Sequence, residues 1–371
     1  MTAGDRIGLR GGPRVDMALL AAIVAITALG VANLYSAVST YVTTKPALAD
    51  SHISQIYWIG AGIAVGAGIA AVDYRGLERF AYAFWVGGIA SLGIVLAFAP
   101  EVRGSRRWIP VGGFTFQPSE FMKVLVILAL AKWLHEDPKT EPRTAVDLVP
   151  PLLLTAVPVA AVMAQPDLGT SLIYAVCAAA MLAMTRIHRW TVAAGAAVLA
   201  VSLPAAWTWL LRDYQRDRIT SFLDPERFKK GEGWHAWQSR TAIGNGGLTG
   251  EGFLQGTQNQ FGYLPDQFSD FPFAVFAEEW GLVGSVVLLG LYAFVCIWSI
   301  HVASQAKDRF GAAVSIGVGA MVFAHVVFNV GMAVGLLPVV GVTLPLFSYG
   351  GSSVLTMFAG FGLLMSVSMR R

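Results

Sequence analysis

Charged residues are scarce in this sequence: Asp, Glu, Lys and Arg make up 13% of its 371 residues, whereas hydrophobic residues make up 55%. Soluble domains carry about 25% charged residues, so a soluble fold of this length is excluded. Cysteine is also scarce, because the chain holds only Cys177 and Cys296, both within apolar runs. Two such cysteines cannot form a disulfide framework or a metal cluster. The composition predicts a polytopic membrane protein.

The sequence lacks the short motifs that bind nucleotides. It contains neither the phosphate-loop pattern GxxxxGK[ST] nor a strand followed by GxGxxG, so an ATP-driven pump or a dinucleotide enzyme is not expected. With a net charge of +3 and no basic run interleaved with aromatic residues, it gives no reason to expect a nucleic-acid partner. We therefore expect a substrate that comes from the membrane or from outside the cell, and membrane lipids as the surroundings.

Ten apolar runs occupy most of the chain, each near the length that a helix needs to cross about 30 Å of hydrocarbon. We expect an all-α fold with ten transmembrane helices in one membrane domain over residues 1–371, and a large extracytoplasmic loop over 212–270. The first run is long enough to remain as an anchor, so no cleavable signal peptide is expected. The expected spans are 17–37, 54–72, 79–99, 119–134, 148–164, 169–185, 190–211, 271–300, 311–337 and 347–368.

Basic residues occur at both ends of the chain and at alternate connections between these spans. Cytoplasmic segments are enriched in Lys and Arg, so this distribution predicts that both termini lie in the cytoplasm. The basic residues of the expected inside segments are Arg6, Arg10, Arg14, Arg75, Arg79, Lys132, Lys139, Arg143, Arg186, Arg189, Lys307, Arg309, Arg370 and Arg371.

Two expected outer segments break this pattern because they are rich in cations. One is 100–118 with the start of the next span, which carries Arg106 and Arg107, and the other is 212–270. Arginine donates two parallel hydrogen bonds to phosphate oxygens, so these segments favour an anionic ligand, with Arg107 as a candidate substrate-binding residue. The alternative is that the cations pair with acidic neighbours or lipid headgroups.

The stretch Gly231–Gly281 is the longest segment that is neither apolar enough to span a bilayer nor uniformly charged. Its ten glycines break any regular period, and its polar side chains include Gln238 and Ser239, which we expect to bind substrate. Asp270 stands at the mouth of the eighth span, where it could cap the helix or act as a general base. Spacing alone does not rank Asp270 above three other carboxylates of the stretch, namely Asp266, Glu278 and Glu279.

Other polar groups interrupt the apolar runs. Glu120 and Lys123 share a helix face, either as a self-neutralising pair or as part of a polar cavity that binds substrate. Asp167 fits a helix cap or a ligand-binding carboxylate. The uncharged tract 337–353 is broken by proline and glycine and forms either a tight turn or a cavity lining. His325, within the ninth span, fits a hydrogen-bonded interior histidine better than a proton relay.

The order of several motifs resembles the SEDS family of bacterial cell-wall proteins, and the RodA branch more than the FtsW branch. The resemblance covers nearly all of the chain. It depends on the motifs GSRRWIPVGGFTFQPSEFMK, QPDLGTS, WQSRTAIGNGGLTGEGFLQGTQ, LPDQFSDFPFAVFAEEWGLVG and GVTLPLFSYGGSS.

This resemblance implies a peptidoglycan glycosyltransferase of the bacterial cytoplasmic membrane. Such an enzyme polymerises lipid II during cell elongation and shape maintenance, releases undecaprenyl diphosphate, works with a class B penicillin-binding protein and uses a divalent cation, Mg²⁺ or Mn²⁺. The resemblance assigns the essential aspartate to Asp270, and Glu120, Lys123 and Asp167 match other functionally sensitive positions. A lipid II flippase is the alternative function, since transporters also use broken helices and intramembrane charges. A non-catalytic membrane scaffold is a third reading.

Overall fold

The structure is a computed structural model, and it describes residues 15–40, 46–101, 105–111, 114–137, 139–210, 216–217, 220–222, 233–264 and 267–371. Asp266, Arg103 and most of the cations expected in loop 212–270 lie outside these residues.

Helices make up most of the described chain. The first half contains α1 (Met17–Ser39), α2 (Pro46–Ala49), α3 (Ser51–Ala71), α4 (Tyr74–Glu78), α5 (Ala81–Phe98), α6 (Pro118–Glu136), α7 (Val149–Ala164) and α8 (Leu168–Leu182). The second half contains α9 (Arg189–Ala205), α10 (Gly233–Asn245), α11 (Thr257–Gln260), α12 (Pro272–Gln305), α13 (Arg309–Ala333) and α14 (Gly351–Arg370).

Each of the ten expected spans coincides with one of the longer helices, which confirms a polytopic helical fold. Eight helical segments are long and apolar enough to cross a membrane by length and composition. The other two expected spans are α6, which carries Glu120 and Lys123, and α8, which has only 15 residues. Of the polar groups that the sequence singled out, Glu120 and Lys123 lie in α6, and Asp167 caps α8.

A small antiparallel sheet departs from the all-α expectation. Strand β1 (Ile109–Val111) pairs with β2 (Phe114–Phe116), with Ile109 opposite Phe116. In the sequence the two strands are separated by Gly112 and Gly113, a pair that favours two-residue hairpins. The hairpin was not predicted because it lies in a short segment between two apolar runs.

Helices α13 and α14 lie in the interior of the bundle. Among the described residues, 67% of the most apolar part of α13 and 83% of that of α14 are buried, against none of that of α9. Glycine allows α3 and α14 to approach closely, since a Cβ at Gly362 would meet the backbone of Gly66. Such contacts between small residues are typical of membrane helix packing, where close van der Waals contact drives association.

The first and last described residues meet at one end of the bundle. Asp16, which caps α1, accepts hydrogen bonds from Ser368 Oγ at 2.7 Å and Trp298 Nε1 at 2.8 Å, and lies 3.2 Å from a nitrogen of Arg371. Both ends of the described chain therefore lie on the same side, as an even number of crossings requires. We call this side the terminal end and the opposite side the far end. The cytoplasmic orientation of the terminal end stays a prediction.

Asp308 joins α4 to the start of α13. Its carboxylate accepts hydrogen bonds from Gly311 N–H at 2.8 Å, Tyr74 OH at 2.7 Å and Arg75 Nε at 2.9 Å. Burial raises the pKa of Asp308, but these three donors outweigh it and hold the pKa below its ordinary value of 3.8. Because the folded-state pKa is depressed, the stabilisation is present above about pH 4 and is lost as the pH falls through the folded-state value.

We expect Asp308→Asn to lower the thermal unfolding midpoint of the purified protein at pH 7, since charge-assisted hydrogen bonds are stronger than neutral ones. The difference from the unmodified protein should shrink as the pH falls from about 4. Thermal unfolding followed across pH 3 to 7 in one detergent measures this. A difference that grows on acidification would contradict the assignment.

Candidate functional site

A cavity of about 710 Å³ lies at the far end of the bundle, between the starts of α6, α8 and α14. Non-helical segments 269–270 and 340–343, residues near the β1–β2 hairpin and one residue from within α13 also line it. Five of the seven candidate site residues line this cavity: Arg107, Glu120, Lys123, Asp167 and Asp270. The structure thus brings together groups that are up to 163 positions apart in the sequence.

The other two candidates, Gln238 and Ser239, are not among the residues that line this cavity. Both are buried in α10, and Ser239 Oγ donates to the carbonyl oxygen of Ala333 at 2.8 Å. Ser239 therefore fastens α10 to the end of α13. A substrate-binding role for this pair stays a prediction.

Lys123 is held between two side chains in the wall of the cavity. Its Nζ donates to Glu120 Oε1 at 2.7 Å and lies 3.0 Å from His325 Nε2. His325 Nδ1 lies 2.8 Å from the carbonyl oxygen of Thr343. Since a carbonyl oxygen only accepts, Nδ1 carries the proton, and the neutral ring offers the Nε2 lone pair to the ammonium. The pair thus neutralises itself and also lines the cavity, whereas a substrate-binding role for Glu120 and Lys123 stays a prediction.

Arg107 and Asp167 form a second polar group. Arg107 Nε donates to the carbonyl oxygen of Gln165 at 2.9 Å, another nitrogen donates to that of Pro166, and a third lies 3.8 Å from Asp167 Oδ2. Asp167 caps α8, accepting from Thr170 N at 3.2 Å and Thr170 Oγ1 at 3.0 Å. Asp167 therefore serves both as helix cap and as a cavity carboxylate. The guanidinium, half-buried beside it, remains next to the cavity.

Asp270 lies immediately before α12, half-buried at the edge of the cavity. The N-cap residue of α12 is Phe271, without a side-chain cap, and Pro272 is the first helical residue. The backbone carbonyl of Asp270 accepts from Asn329 Nδ2 at 3.0 Å. Its carboxylate faces Gly341, where a Cβ would lie 4.0 Å from Oδ2. Asp270 therefore presents its carboxylate to the cavity instead of filling the N-cap position.

The structure separates Asp270 from two of its three sequence competitors. Glu278 accepts from Gln258 N at 2.8 Å and Thr257 Oγ1 at 3.2 Å, at the start of α11. Glu279 accepts hydrogen bonds from Ser36 Oγ and, at 3.3 Å, from Asn259 Nδ2. Neither residue lines the cavity. These hydrogen bonds of Glu278 and Glu279 join residues 257–259 to α12 and α1.

The glycines of the stretch Gly231–Gly281 have a backbone role. Helix α12 is interrupted at Gly281, where φ is +64°. The loop before it pairs with the interrupted turn: Glu251 N donates to Glu278 O at 2.9 Å, and Leu282 N donates to Gly247 O at 2.9 Å. A Cβ at Gly281 would meet the backbone of Gly250. Gly247, Gly250 and Gly281 therefore serve this backbone contact. Of the described residues of the stretch, only Ser269 and Asp270 line the cavity.

The tract 337–350 between α13 and α14 is non-helical and packed inside the bundle. Neighbouring side chains hold its carbonyl groups: Asn329 donates to Val342 O at 2.7 Å, His325 to Thr343 O, Tyr292 to Pro345 O at 2.7 Å and Gln55 to Ser348 O at 3.1 Å. Irregular backbone at membrane depth requires such partners. The tract is therefore a cavity lining, as one of the two sequence readings proposed.

The first turn of α14 also faces the cavity, since Gly350, Gly351, Ser352 and Ser353 all line it. A helix start presents backbone N–H groups and the positive end of the helix dipole. Together with Arg107 and Lys123, it gives the cavity several features that favour an anion. The carboxylate of Asp270 shares the same space.

Three further residues of the site were not predicted from the sequence: Asn329, which donates to the carbonyl groups of Asp270 and Val342, and Gln117 and Ser352 in the cavity wall. Gln117 N donates to Ser352 Oγ at 3.0 Å, joining the starts of α6 and α14. The sequence signal for Asn329 was an amide side chain within an apolar run, four residues after His325. Polar groups inside the membrane are costly and face partners or cavities.

The expected divalent cation fits this cavity only with help from the substrate. Among the described residues no three His, Cys, Asp or Glu side chains are grouped closely enough to hold a metal. Mg²⁺ is commonly bound by one or two carboxylates, with substrate phosphates and water as the other ligands. Glu120 Oε2 is buried without a hydrogen-bond partner, and Asp270 lines the same cavity. This donor set fits an ion that is shared with a phosphate-bearing ligand.

The chain belongs to the FtsW/RodA/SpoVE family, described as cell cycle proteins, because the family pattern matches residues 17–371. It is similar to the peptidoglycan glycosyltransferase MrdB of Escherichia coli K12, with 39% identity over 315 residues that cover 84% of each chain. It is also similar to the peptidoglycan glycosyltransferase RodA of Treponema pallidum, with 30% identity and coverage of 98% of this chain and 99% of that protein.

Two solved structures share the fold. One is a chain from a structure described as showing structural coordination of polymerization and crosslinking by a peptidoglycan synthase complex. It has 32% identity and a TM-score of 0.81, and the match covers 96% of this chain and 98% of that chain. The rod shape determining protein RodA of Thermus thermophilus has 30% identity and a TM-score of 0.70, covering 96% and 97%. The protein is therefore a multi-pass helical protein of the bacterial inner membrane.

Breaking the Glu120–Lys123 pair should destabilise the protein. Lys123→Met leaves a buried carboxylate without its cation, which costs about 3–5 kcal/mol, whereas replacing both charges by apolar groups is close to neutral. We expect the thermal unfolding midpoint of Lys123→Met to fall well below that of the double variant Glu120→Leu, Lys123→Met. A double variant less stable than both single variants would show that the pair itself stabilises the fold.

Proposed function

We propose that this protein is a peptidoglycan glycosyltransferase that polymerises lipid II into glycan strands during cell elongation and shape maintenance. The observation that carries the proposal is the joint placement of Asp270, Lys123 and Arg107 around one cavity at the far end of the bundle. A polymerising glycosyltransferase needs a base for the acceptor hydroxyl and positive charge for a diphosphate leaving group. The cavity supplies both.

The diphosphate of the lipid-linked donor is bound by the anion-favouring part of the cavity. Lys123 contributes a point charge that Glu120 and His325 hold in place. Arg107 and the first turn of α14 lie in the same wall and donate to phosphate oxygens. The isoprenoid chain of the donor stays in the surrounding lipid, which accounts for an active site built within a membrane bundle.

Asp270 acts as the general base. Its carboxylate takes the proton from the acceptor sugar's hydroxyl while that oxygen forms a bond to the anomeric carbon of the donor. The bond between this carbon and the diphosphate oxygen breaks, and the leaving group keeps the electron pair. Lys123 and Arg107 stabilise the charge that develops on the released undecaprenyl diphosphate.

A divalent cation, Mg²⁺ or Mn²⁺, would be held by Asp270 or Glu120 together with phosphate oxygens of the donor. When bound, such an ion neutralises charge on the diphosphate and so promotes its departure. The chain's own contribution remains the positioning of the carboxylates and cations around the leaving group.

A class B penicillin-binding protein is the proposed partner, supplying the transpeptidase that crosslinks the new strands. The similarity to a chain studied in a peptidoglycan synthase complex supports this pairing of polymerisation with crosslinking. With both termini in the cytoplasm, the far end and its cavity face the outside, where the glycan is built. The basic residues at the terminal end support this orientation.

Asp270→Asn should lower glycan polymerisation from lipid II by at least about 100-fold, since a general base contributes about 10²–10⁴ in rate. The measurement uses the purified full chain with its penicillin-binding partner and separates glycan products by size. Asp50→Asn is the matched control, because it removes the same charge from an exposed aspartate immediately before α3.

The control should polymerise normally, and full polymerisation by folded Asp270→Asn would exclude Asp270 as the base. An unmodified protein that moves labelled lipid II between leaflets but forms no glycan would instead support the flippase alternative.

Removal of divalent ions should also slow the reaction. We expect a chelator to lower polymerisation by at least about tenfold, and added Mg²⁺ or Mn²⁺ to restore it, because metal neutralisation of a leaving group supplies several kcal/mol. The assay compares initial rates with chelator alone and with chelator plus each ion in excess. Unchanged rates in metal-free buffer would rule out the cation.

A further inference from the structure

Helix α13 carries two buried polar side chains on one face, and each contacts a different part of the proposed catalytic apparatus. His325 and Asn329 are four residues apart, a spacing that places both on the same side of a helix, about 6 Å apart along its axis. His325 is 1% exposed and Asn329 is fully buried. Burying two polar groups in an apolar span is costly unless they have partners.

We propose that His325 and Asn329 are positioning residues that set the separation between the leaving-group cation Lys123 and the base Asp270. This inference depends on the proposed glycosyltransferase function. Each residue bridges one catalytic group and one carbonyl of the tract 337–350.

His325 fixes the direction of the Lys123 ammonium. An ammonium has three N–H donors, and Glu120 Oε1 at 2.7 Å takes one of them. The Nε2 lone pair of His325 takes a second at 3.0 Å, which leaves the third for the cavity. Thr343 O holds the ring by accepting from Nδ1 at 2.8 Å. A flexible lysine is thereby restricted to one geometry, and its remaining donor is available to a phosphate oxygen.

Asn329 fixes the backbone of the base. Its Nδ2 donates to Asp270 O at 3.0 Å and to Val342 O at 2.7 Å. Both acceptors are carbonyl oxygens, so the amide nitrogen must face them. Asp270 lies in the non-helical segment before α12, and this bond ties that segment to the interior of the bundle. The carboxylate position therefore depends on α13.

The two bridges end on consecutive residues, Val342 and Thr343. One helix turn of α13 thus joins the tract 337–350, the base Asp270 and the cation Lys123. A shift of α13 relative to α6 or α12 would therefore alter the distance between Asp270 and Lys123. Misplacement of a reacting group by about 1 Å can cost about 100-fold in rate. Loss of the contact to Lys123 or of the contact to Asp270 should consequently affect turnover more than substrate binding.

Paired variants of His325 separate its two hydrogen bonds. A glutamine side chain reaches the Nε2 position and can still accept from Lys123, whereas an asparagine reaches only the Nδ1 position and can still donate to Thr343 O. We expect His325→Gln to stay within about threefold of the unmodified kcat, and His325→Asn to lose about 10- to 100-fold with KM for lipid II nearly unchanged. Both changes remove the same ring, so a purely structural role would affect the two variants alike.

Asn329→Asp keeps the shape of the side chain but replaces the donor by acceptors, and should lower kcat by about 10- to 100-fold. Asn259→Asp is the matched control, because Asn259 is also fully buried but contacts Ser36 and Glu279 instead of Asp270. If Asn329→Asp fails to fold, Asn329→Ser replaces it as a smaller neutral change, and Asn259→Ser then replaces Asn259→Asp as the control. Binding stoichiometry for fluorescent lipid II gives the active fraction of every preparation, so that loss of folded protein is not counted as loss of kcat.

The assay uses the purified full chain with its penicillin-binding partner and includes Asp270→Asn. The inference is supported if His325→Gln keeps a near-normal kcat while His325→Asn and the Asn329 variant lose kcat. Equal activity of all His325 and Asn329 variants, while Asp270→Asn is inactive, overturns the positioning inference and leaves the proposed function standing. Normal polymerisation by Asp270→Asn overturns the proposed base, whatever the α13 variants do.

Discussion

The non-helical tract 337–350 imposes the constraint on which the rest of the structure depends. Backbone N–H and C=O groups at membrane depth require partners, because hydrocarbon offers none. Here the partners come from three helices: Tyr292 on α12, His325 and Asn329 on α13, and Gln55 on α3. Satisfying this tract therefore fixes the relative positions of those helices, and the space left beside it is the cavity.

The same polar groups that satisfy the tract also contact the two side chains that we propose for catalysis. His325 contacts Lys123, and Asn329 contacts the backbone of Asp270, so one set of residues satisfies the buried backbone and holds the proposed catalytic groups. The Glu120–Lys123 pair adds charge to this set. A buried ion pair is weak support for stability, because desolvation offsets the attraction. This pair lies in the wall of the cavity, where we propose that it binds substrate.

Much of the fold could be predicted from the sequence, because apolar runs of about 20 residues have few alternatives to membrane helices. Two helices fall outside this rule, because α6 carries charged residues and α8 has only 15 residues. The starts of both helices line the cavity. The β1–β2 hairpin was missed although Gly112 and Gly113 mark it, since two three-residue strands give almost no periodic signal.

The candidate site was only partly accessible from the sequence. Spacing did not rank Asp270 above Asp266, Glu278 or Glu279, and Asp270 was selected by family resemblance. What distinguishes Glu278 and Glu279 from Asp270 is their hydrogen-bond partners elsewhere in the fold. Ser36 and Asn259 donate to Glu279, and the start of α11 donates to Glu278. Asn329 was missed because its acceptors, Asp270 O and Val342 O, come from segments distant in sequence. Gly247, Gly250 and Gly281 of this stretch take part in the backbone contact at the interruption of α12.

A structure of the protein with a bound non-reactive lipid II analogue, determined in a lipid bilayer, tests the central claim most directly. The account predicts that the diphosphate lies against Lys123 and Arg107, and that an acceptor sugar places its hydroxyl within hydrogen-bond distance of the Asp270 carboxylate. A diphosphate bound outside this cavity, or an acceptor hydroxyl that is remote from Asp270, would contradict it.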